Sequence, residues 1–229
     1  MWKPTNKWRP ARYGGSGAVA VEKVGSPEQV GLAKQDNAVK EKLASDLAAL
    51  AAVKVPKVEV DGVEGRAGIF SISHAHGEES VDLTMLKDRH PEIYNSAPVQ
   101  NAIKAASGMV PFHAWTKTVD QKDDHLVLAT SAGGAYDVAG VDFQHSFQWQ
   151  ETDGGPVQRP GIPPCMQNNI DKARVAATVS AIEKVTDEQI RTAVDTLPTT
   201  NEEKKRLADG LIARRGKVNE CMKAQGWLD

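Results

Sequence analysis

A short β-hairpin signal near the front of the chain, followed at once by a helix that a Val-Pro step ends, constrains the fold most. Residues 18–24 form a β-rich run, Gly25-Ser26-Pro27 breaks it, and residues 30–34 resume it. Two such runs around a Gly/Pro break read as antiparallel strands joined by a turn. Helical spacing begins at Asn37, a predicted N-cap, with Val39, Leu43, Leu47 and Leu50 on one stripe. Glu41, Ala44, Ala48 and Ala51 line a neighbouring face, where small residues let another element approach closely. Val55-Pro56 ends this helix, and residues 58–60 read as a strand before the turn Asp61-Gly62.

The middle of the chain is less regular. Residues 68–73 make a short strand, and 74–79 a His/Glu-rich connector. Residues 98–119 are helical in parts, with Ile103, Ala106, Val110 and Trp115 as core. Two apolar runs, 126–128 and 138–143, joined through Ser131-Ala132-Gly133-Gly134, predict a second hairpin. From Asn168 onward the pattern is helical, in stripes through Val175, Val179 and Ile182, then Ile190, Val194 and Leu197, then Leu207, Leu211, Val218 and Met222. Thr186-Asp187-Glu188-Gln189 spells a capping box, and Pro198 stops the helix it opens. The Gly/Pro-rich stretch 151–164 reads as a connector without regular structure. The expected fold class is α+β, with a small β-rich lobe over 1–70 and a larger, mainly helical lobe over 71–229. Ligand sites favour the cleft between such lobes.

A chain of 229 residues suits one large domain or two closely packed lobes. The formal charge of −2 and the absence of any long Lys/Arg block give no nucleic-acid or membrane footprint. Cys165 and Cys221 lie far apart with no C-x-x-C pair and read as reduced thiols, as in a cytoplasmic protein. Met1-Trp2-Lys3-Pro4 lacks the apolar core of a signal peptide, and no run approaches the roughly 18 apolar residues of a membrane span. Trp2, Trp8, Trp115, Trp149 and Trp227 are scattered and read as packing anchors.

The residues richest in chemistry lie at 118–128, Thr-Val-Asp-Gln-Lys-Asp-Asp-His-Leu-Val-Leu, and at 138–144, Val-Ala-Gly-Val-Asp-Phe-Gln. An Asp, a Lys two residues on and a polar residue at the fifth position precede a strand; a second strand then ends in Val-Asp-Phe. This resembles the kinase catalytic loop Asp-x-x-x-x-Asn followed by the metal-binding Asp-Phe-Gly. Phosphoryl transfer acts on a polyanion, so its catalysis is mostly positioning and charge neutralisation. The resemblance implies that Asp120 orients the attacking hydroxyl, Lys122 faces the transferred phosphate and Asp142 holds the metal. His125 departs from the pattern, standing where most kinases place a metal-binding Asn. Imidazole suits softer divalent metals than Mg²⁺.

The front of the chain is similar to the same class. Lys34 on a strand and Glu41 on the next helix resemble the Lys–Glu pair that anchors nucleotide phosphates, with Lys23 as the rival lysine. The helix from Asn37 to Val55-Pro56 and the tail carrying Leu197-Pro198 and Arg214-Arg215 resemble HipA-like kinases, relatives of the phosphatidylinositol 3-/4-kinase-like group. The glycines at 14, 15 and 17, with Gly15 and Gly17 foremost, would cover phosphates. The resemblance implies a two-lobed protein-kinase-like fold, ATP with Mg²⁺ or Mn²⁺, and a hydroxyl acceptor on a protein Ser/Thr, a small molecule or a lipid headgroup. Two other readings stand beside it. A pseudokinase-like module would bind nucleotide or a partner without catalysis, a reading that His125 favours. A His-dependent metal enzyme would use His74-Ala75-His76 with Glu78, Glu79, His125 and His145, since histidines one residue apart on a strand share a face.

Overall fold

The computed structural model describes residues 1–6, 18–35, 37–75, 79–119, 121–130, 133–147 and 162–229. Strands β1 (Trp2–Pro4), β2 (Val19–Lys23) and β3 (Ser26–Lys34), helix α1 (Ala38–Leu50), and strands β4 (Val58–Asp61) and β5 (Phe70–His74) come first. The five strands form one antiparallel sheet in the order β1-β2-β3-β5-β4. The expected first hairpin is β2–β3, turning at Gly25 with φ 86, a left-handed value that glycine reaches without steric cost. Strand β1 has no sequence signal. It is three residues long, and its Pro4 is tolerated because β1 lies at the sheet edge. Trp2 anchors it, fully buried against Val21, Ala33, Phe70 and Ile72.

Helix α1 binds the sheet to the rest of the molecule. The buried Ser45 hydroxyl donates to Pro56 O at 3.1 Å and accepts from Val58 N at 3.0 Å, fixing the path from helix to β4. Leu43 and Leu47 are buried, as are Ala44, Ala48 and Ala51, so the small-residue face is indeed a contact face. All five belong to one core with Phe112, Trp115, Val175, Ile190 and Leu211. Burial of each leucine is worth about 1.5–3 kcal/mol. Asn37 does not cap α1 through its side chain; it adopts φ 59, a left-handed geometry that Asn tolerates better than most residues.

The chain continues through β6 (Glu79–Asp82), α2 (Leu83–Arg89), α3 (Pro91–Tyr94), α4 (Ala97–Ala105), α5 (Met109–Thr116), β7 (Leu126–Thr130) and β8 (Tyr136–Gly140). Strands β6-β7-β8 form a second antiparallel sheet in that order. The second hairpin is therefore present, though β8 stops at Gly140 and leaves 141–143 beyond the ladder. The connector read at 74–79 instead contributes the end of β5 and the start of β6. Glu-Ser-Val-Asp carries no apolar alternation and becomes a strand only by pairing with β7. Asp82 then opens α2, its Oδ1 accepting from Met85 N at 2.7 Å.

Helices α6 (Lys172–Lys184), α7 (Asp187–Asp195), α8 (Asn201–Arg215) and α9 (Val218–Ala224) complete the helical body. The capping box forms as spelled: Gln189 N donates to Thr186 Oγ1 at 3.1 Å and Thr186 N to Gln189 Oε1 at 2.8 Å. Every residue of α5 is buried. Its Trp115 Nε1 donates to Leu211 O, and Arg214 Nε donates to Trp115 O, each at 2.9 Å, so α8 satisfies the orphan carbonyls at the end of α5. Most of the expected 151–164 connector lies outside the described residues; Pro164–Met166 is a single 3₁₀ turn. Cys165 and Cys221 form no disulfide. Among the described residues no helix is long and apolar enough to cross a membrane.

Candidate functional site

Four of the expected site residues come together where β3, α1 and the segment after β8 meet. Lys34 is the last residue of β3. With Leu32, two positions earlier on the same face, it lines a cavity of about 20 Å³ together with Glu41, His74, Val141 and Asp142. That space holds about one water. A larger cavity of about 220 Å³ between the end of α1 and α6 contains none of the expected site residues.

The segment after β8 is held from several sides. Gly140 N donates to Lys54 O at 3.0 Å and Val141 N to His125 O at 2.9 Å. A Cβ on Gly140 would lie 2.8 Å from Met109 Sδ and 3.3 Å from Phe143 Cζ, so β8 approaches α5 closely here and a larger residue would displace the end of the Met109 side chain. Asp142 follows with φ 64. A non-glycine residue held in this region costs about 1–3 kcal/mol and persists only where its surroundings over-determine it. Here Phe143 N donates to Glu41 Oε1 at 3.0 Å, and the Phe143 ring meets Phe112 edge-on at 5.8 Å.

These constraints aim the Asp142 carboxylate at two nitrogens. Lys34 Nζ lies 3.7 Å from its Oδ2, and His125 Nε2 lies 3.9 Å from the same oxygen and 3.8 Å from Asp124 Oδ1. His125 is nearly buried, at the end of the 3₁₀ turn Asp123–His125. Asp123 is committed elsewhere, accepting from Cys165 N at 2.9 Å. Glu41 is 5 % exposed, and burial pushes its carboxyl up to about 7; the Lys34 ammonium opposes this, Asp142 reinforces it, and the Phe143 N–H opposes it.

The remaining expected residues are exposed, engaged with other partners or outside the described residues. Lys122 is exposed at the head of the 3₁₀ turn. Asp120, Gly15 and Gly17, with Gly14, lie outside the described residues. The rival Lys23 is on another part of the sheet, 3.2 Å from Glu59 Oε2 and above the Trp2 ring. In the competing histidine cluster, His74 Nε2 lies 3.2 Å from Glu59 Oε1 and its ring packs edge-on against Trp2. Glu59 is partly desolvated, yet hydrogen bonds from Lys57 and Lys23, with His74 nearby, hold its carboxyl at about 2. His76 and Glu78 lie outside the described residues, as does the side chain of Glu79. Among the described residues no three His, Cys, Asp or Glu side chains converge as a ready metal site.

Several contributors escaped the sequence reading. Lys40 Nζ donates to Gln144 O at 3.0 Å, a second link from α1 to the segment after Asp142. Burial lowers the pKa of that ammonium, with Arg206 adding to the effect and Glu203 opposing it. The hydroxyls of Thr116, Thr118 and Ser146 form a buried chain beside the site. The Thr-x-Thr spacing ahead of Asp120 is the only hint of it in the sequence.

The arrangement of a β sheet, a helix packed beneath it and a helical body with an inserted hairpin defines a protein-kinase-like fold. Among solved structures the chain is similar to the proinflammatory kinase CtkA of Helicobacter pylori, with a TM-score of 0.63 at 14% identity, covering 96% of this chain and 94% of that one. It is also similar to HipA, solved in the toxin–antitoxin complex of HipA, HipB and operator DNA from Shewanella oneidensis MR-1, with a TM-score of 0.52 at 12% identity over 97% of this chain and 68% of HipA. At these identities the likeness is one of fold. No protein-family model matches the sequence, and no curated protein matches it.

Proposed function

We propose that this chain is a HipA-like, kinase-type phosphotransferase that moves a phosphoryl group from ATP to a hydroxyl acceptor on a protein Ser/Thr or a small molecule. The reading takes residues 1–70 as the small lobe and 71–229 as the helical lobe. The observation that carries it is the pairing of Lys34 with Asp142 at 3.7 Å, with Glu41 fixed beside them through Phe143 N. A cation on a strand, a carboxylate on the following helix and a second carboxylate after a hairpin are the parts needed to grip a metal-bound triphosphate.

The donors fit the implied group. Mg²⁺ bound with a nucleotide takes one or two protein carboxylates and leaves its other positions to phosphates and water, and Asp142 offers such a hard oxygen. Bound ATP and metal would supply the transferable phosphoryl group and neutralise its charge. Lys34 would hold phosphate oxygens, with Glu41 keeping its ammonium in place. Asp120 would orient the acceptor hydroxyl, Lys122 would offset charge at the transferred group, and Gly15 and Gly17 would cover the phosphates. The 20 Å³ cavity takes about one water, so a nucleotide would extend well beyond it.

His125 favours a second reading. An imidazole 3.9 Å from Asp142, in place of the usual Asn, makes a weaker Mg²⁺ shell and would suit a pseudokinase-like module that binds nucleotide without consuming it. ATP consumption by the purified chain, with Mg²⁺ and Mn²⁺ in parallel, separates the two. Metal-dependent turnover is expected; tight ATP binding with no consumption in either metal puts the binding module ahead.

The lysine assignment has its own test. Lys34→Ala should weaken metal-dependent ATP binding about tenfold or more, as loss of a hydrogen bond to a charged group does. Lys23→Ala should leave binding unchanged, because Lys23 serves Glu59. The opposite pattern in parallel titrations would move the phosphate anchor to β2.

A further inference from the structure

Two loops carry the proposed chemistry, 117–125 and 141–147, and the structure joins them at both ends. At the strand end, Val141 N donates to His125 O at 2.9 Å. At the other end, Phe147 N donates to Thr116 O at 2.8 Å, and Ser146 Oγ lies 2.7 Å from Thr118 Oγ1. Lys117 and Phe147, with φ 51 and 60, both hold left-handed conformations that ordinary residues avoid. Such backbone persists only under strong local restraint.

The hydroxyls form a chain with a single direction. Thr116 Oγ1 lies 2.8 Å from Phe112 O, which can only accept, so the one hydroxyl hydrogen of Thr116 is spent there. Thr118 Oγ1, 2.8 Å from Thr116 Oγ1, must then donate to it. The Thr118 hydrogen is thereby used, so Ser146 donates to Thr118. Thr116, Thr118 and Ser146 are exposed by 0 %, 1 % and 0 %, so water cannot replace a lost partner. A sequence of donations ending on a helix carbonyl thus ties the segment four residues past Asp142 to the position two residues before Asp120.

We infer that the Ser146–Thr118–Thr116 hydroxyl chain is a positioning device that sets the Asp120 loop against the Asp142 loop for phosphoryl transfer, an inference that rests on the phosphotransferase reading above. These residues touch neither nucleotide nor acceptor; they act through the loops they join. Losing the link should therefore misalign reacting groups while leaving the Lys34–Asp142 nucleotide grip intact. The direction of the chain ranks the substitutions. Ser146→Ala removes the first donor and strands no hydrogen, so it disturbs the fold least. Thr118→Val strands the Ser146 hydrogen and disturbs it more, since an orphaned buried donor is costly.

The test compares the parent chain of 229 residues with Ser146→Ala, Thr118→Val and Thr118→Ser. Steady-state phosphotransfer, ATP affinity and amide hydrogen exchange across 121–125 and 141–147 are measured for each. A displacement on the ångström scale costs about 10²-fold in rate, so Ser146→Ala and Thr118→Val should lower kcat by about 10- to 100-fold. ATP affinity should stay near the parent value, and exchange at Phe147 and Val141 should quicken. Thr118→Ser, which keeps the oxygen and its hydrogen, should restore all three. Unchanged kcat in a folded Ser146→Ala protein overturns the inference, as does equal loss of kcat and ATP affinity. If the parent transfers no phosphate, the phosphotransferase reading falls. The exchange arm then decides alone whether the hydroxyls clamp the loops, and unchanged exchange in Ser146→Ala refutes the clamp.

Discussion

Removing the Asp142 carboxylate is expected to abolish metal-dependent ATP binding and phosphotransfer together, whereas Asp120→Ala should collapse transfer and spare binding. The difference follows from what each side chain would touch. Asp142 lies 3.7 Å from Lys34, so in the proposed role its charge would serve both the metal and the phosphates. Asp120 is assigned only to the acceptor hydroxyl, and loss of a positioned base costs about 10²–10⁴ in rate with little effect on nucleotide affinity. The backbone at 142 dictates the choice of variant. With φ 64, Asp142→Ala adds strain to charge removal, whereas Asp142→Asn keeps a side chain that tolerates this conformation. The Asn variant should therefore lose function while keeping the parent's thermal midpoint. Calorimetric ATP titrations with and without metal, phosphotransfer rates and circular dichroism on all three variants decide the matter. ATP affinity that ignores metal and survives Asp142→Asn would sink the metal assignment; a folded Asp120→Ala protein with the parent's rate would remove Asp120 from catalysis.

Much of the architecture was legible because it depends on local signals. The turn at Gly25, the Thr186–Gln189 capping box and the alanine face of α1 each act within a few residues, and each appears where the sequence puts it. Elements made by distant partners were not legible. Strand β1 exists because Trp2 fills the sheet core, and β6 because β7 lends it a hydrogen-bonding edge. Neither segment has enough periodicity to announce itself. The same reason explains Asn37, where a good capping residue turns instead into a left-handed link between β3 and α1.

The candidate site divides along the same line. Lys34, Glu41, His125 and Asp142 could be singled out because their order along the chain resembles a known pattern. The structure brings these four together, while Lys122 stays exposed. What orients them was hidden. The φ of Asp142, the Glu41–Phe143 bond and the contact of Lys40 with Gln144 span about a hundred residues or depend on backbone torsion. The partners of Lys23 and Lys34 also needed the sheet to be seen. Glu59 comes within reach of Lys23 because Trp2, paired with Lys23 across β1 and β2, also bridges to Val63 just past β4.

Glu41 should make the fold lose stability as pH rises through neutrality. Its carboxyl sits at about 7 in the folded chain against an ordinary 4.5, chiefly because burial disfavours the charge. Below pH 4.5 the group is protonated whether the chain is folded or not, so it favours neither state. Between 4.5 and about 7 the folded chain keeps a proton that the unfolded chain has released, and stability falls with pH. Above that window Glu41 is ionised in both states, and the full penalty, about 3 kcal/mol from the shift, is in place. Glu41→Gln keeps an oxygen for Phe143 N and cannot ionise. Its stability relative to the parent should therefore climb between pH 4.5 and 7 and level off above, read from denaturant unfolding at half-unit steps. Lys34→Ala removes the ammonium that restrains the shift, so in that background the rise should extend to higher pH. A parent-minus-Gln difference that stays flat from pH 4 to 8 would mean that Glu41 is solvated in the folded protein. In that case water reaches the carboxylate, and the Lys34–Glu41–Asp142 cluster is too open to hold phosphates in a fixed geometry.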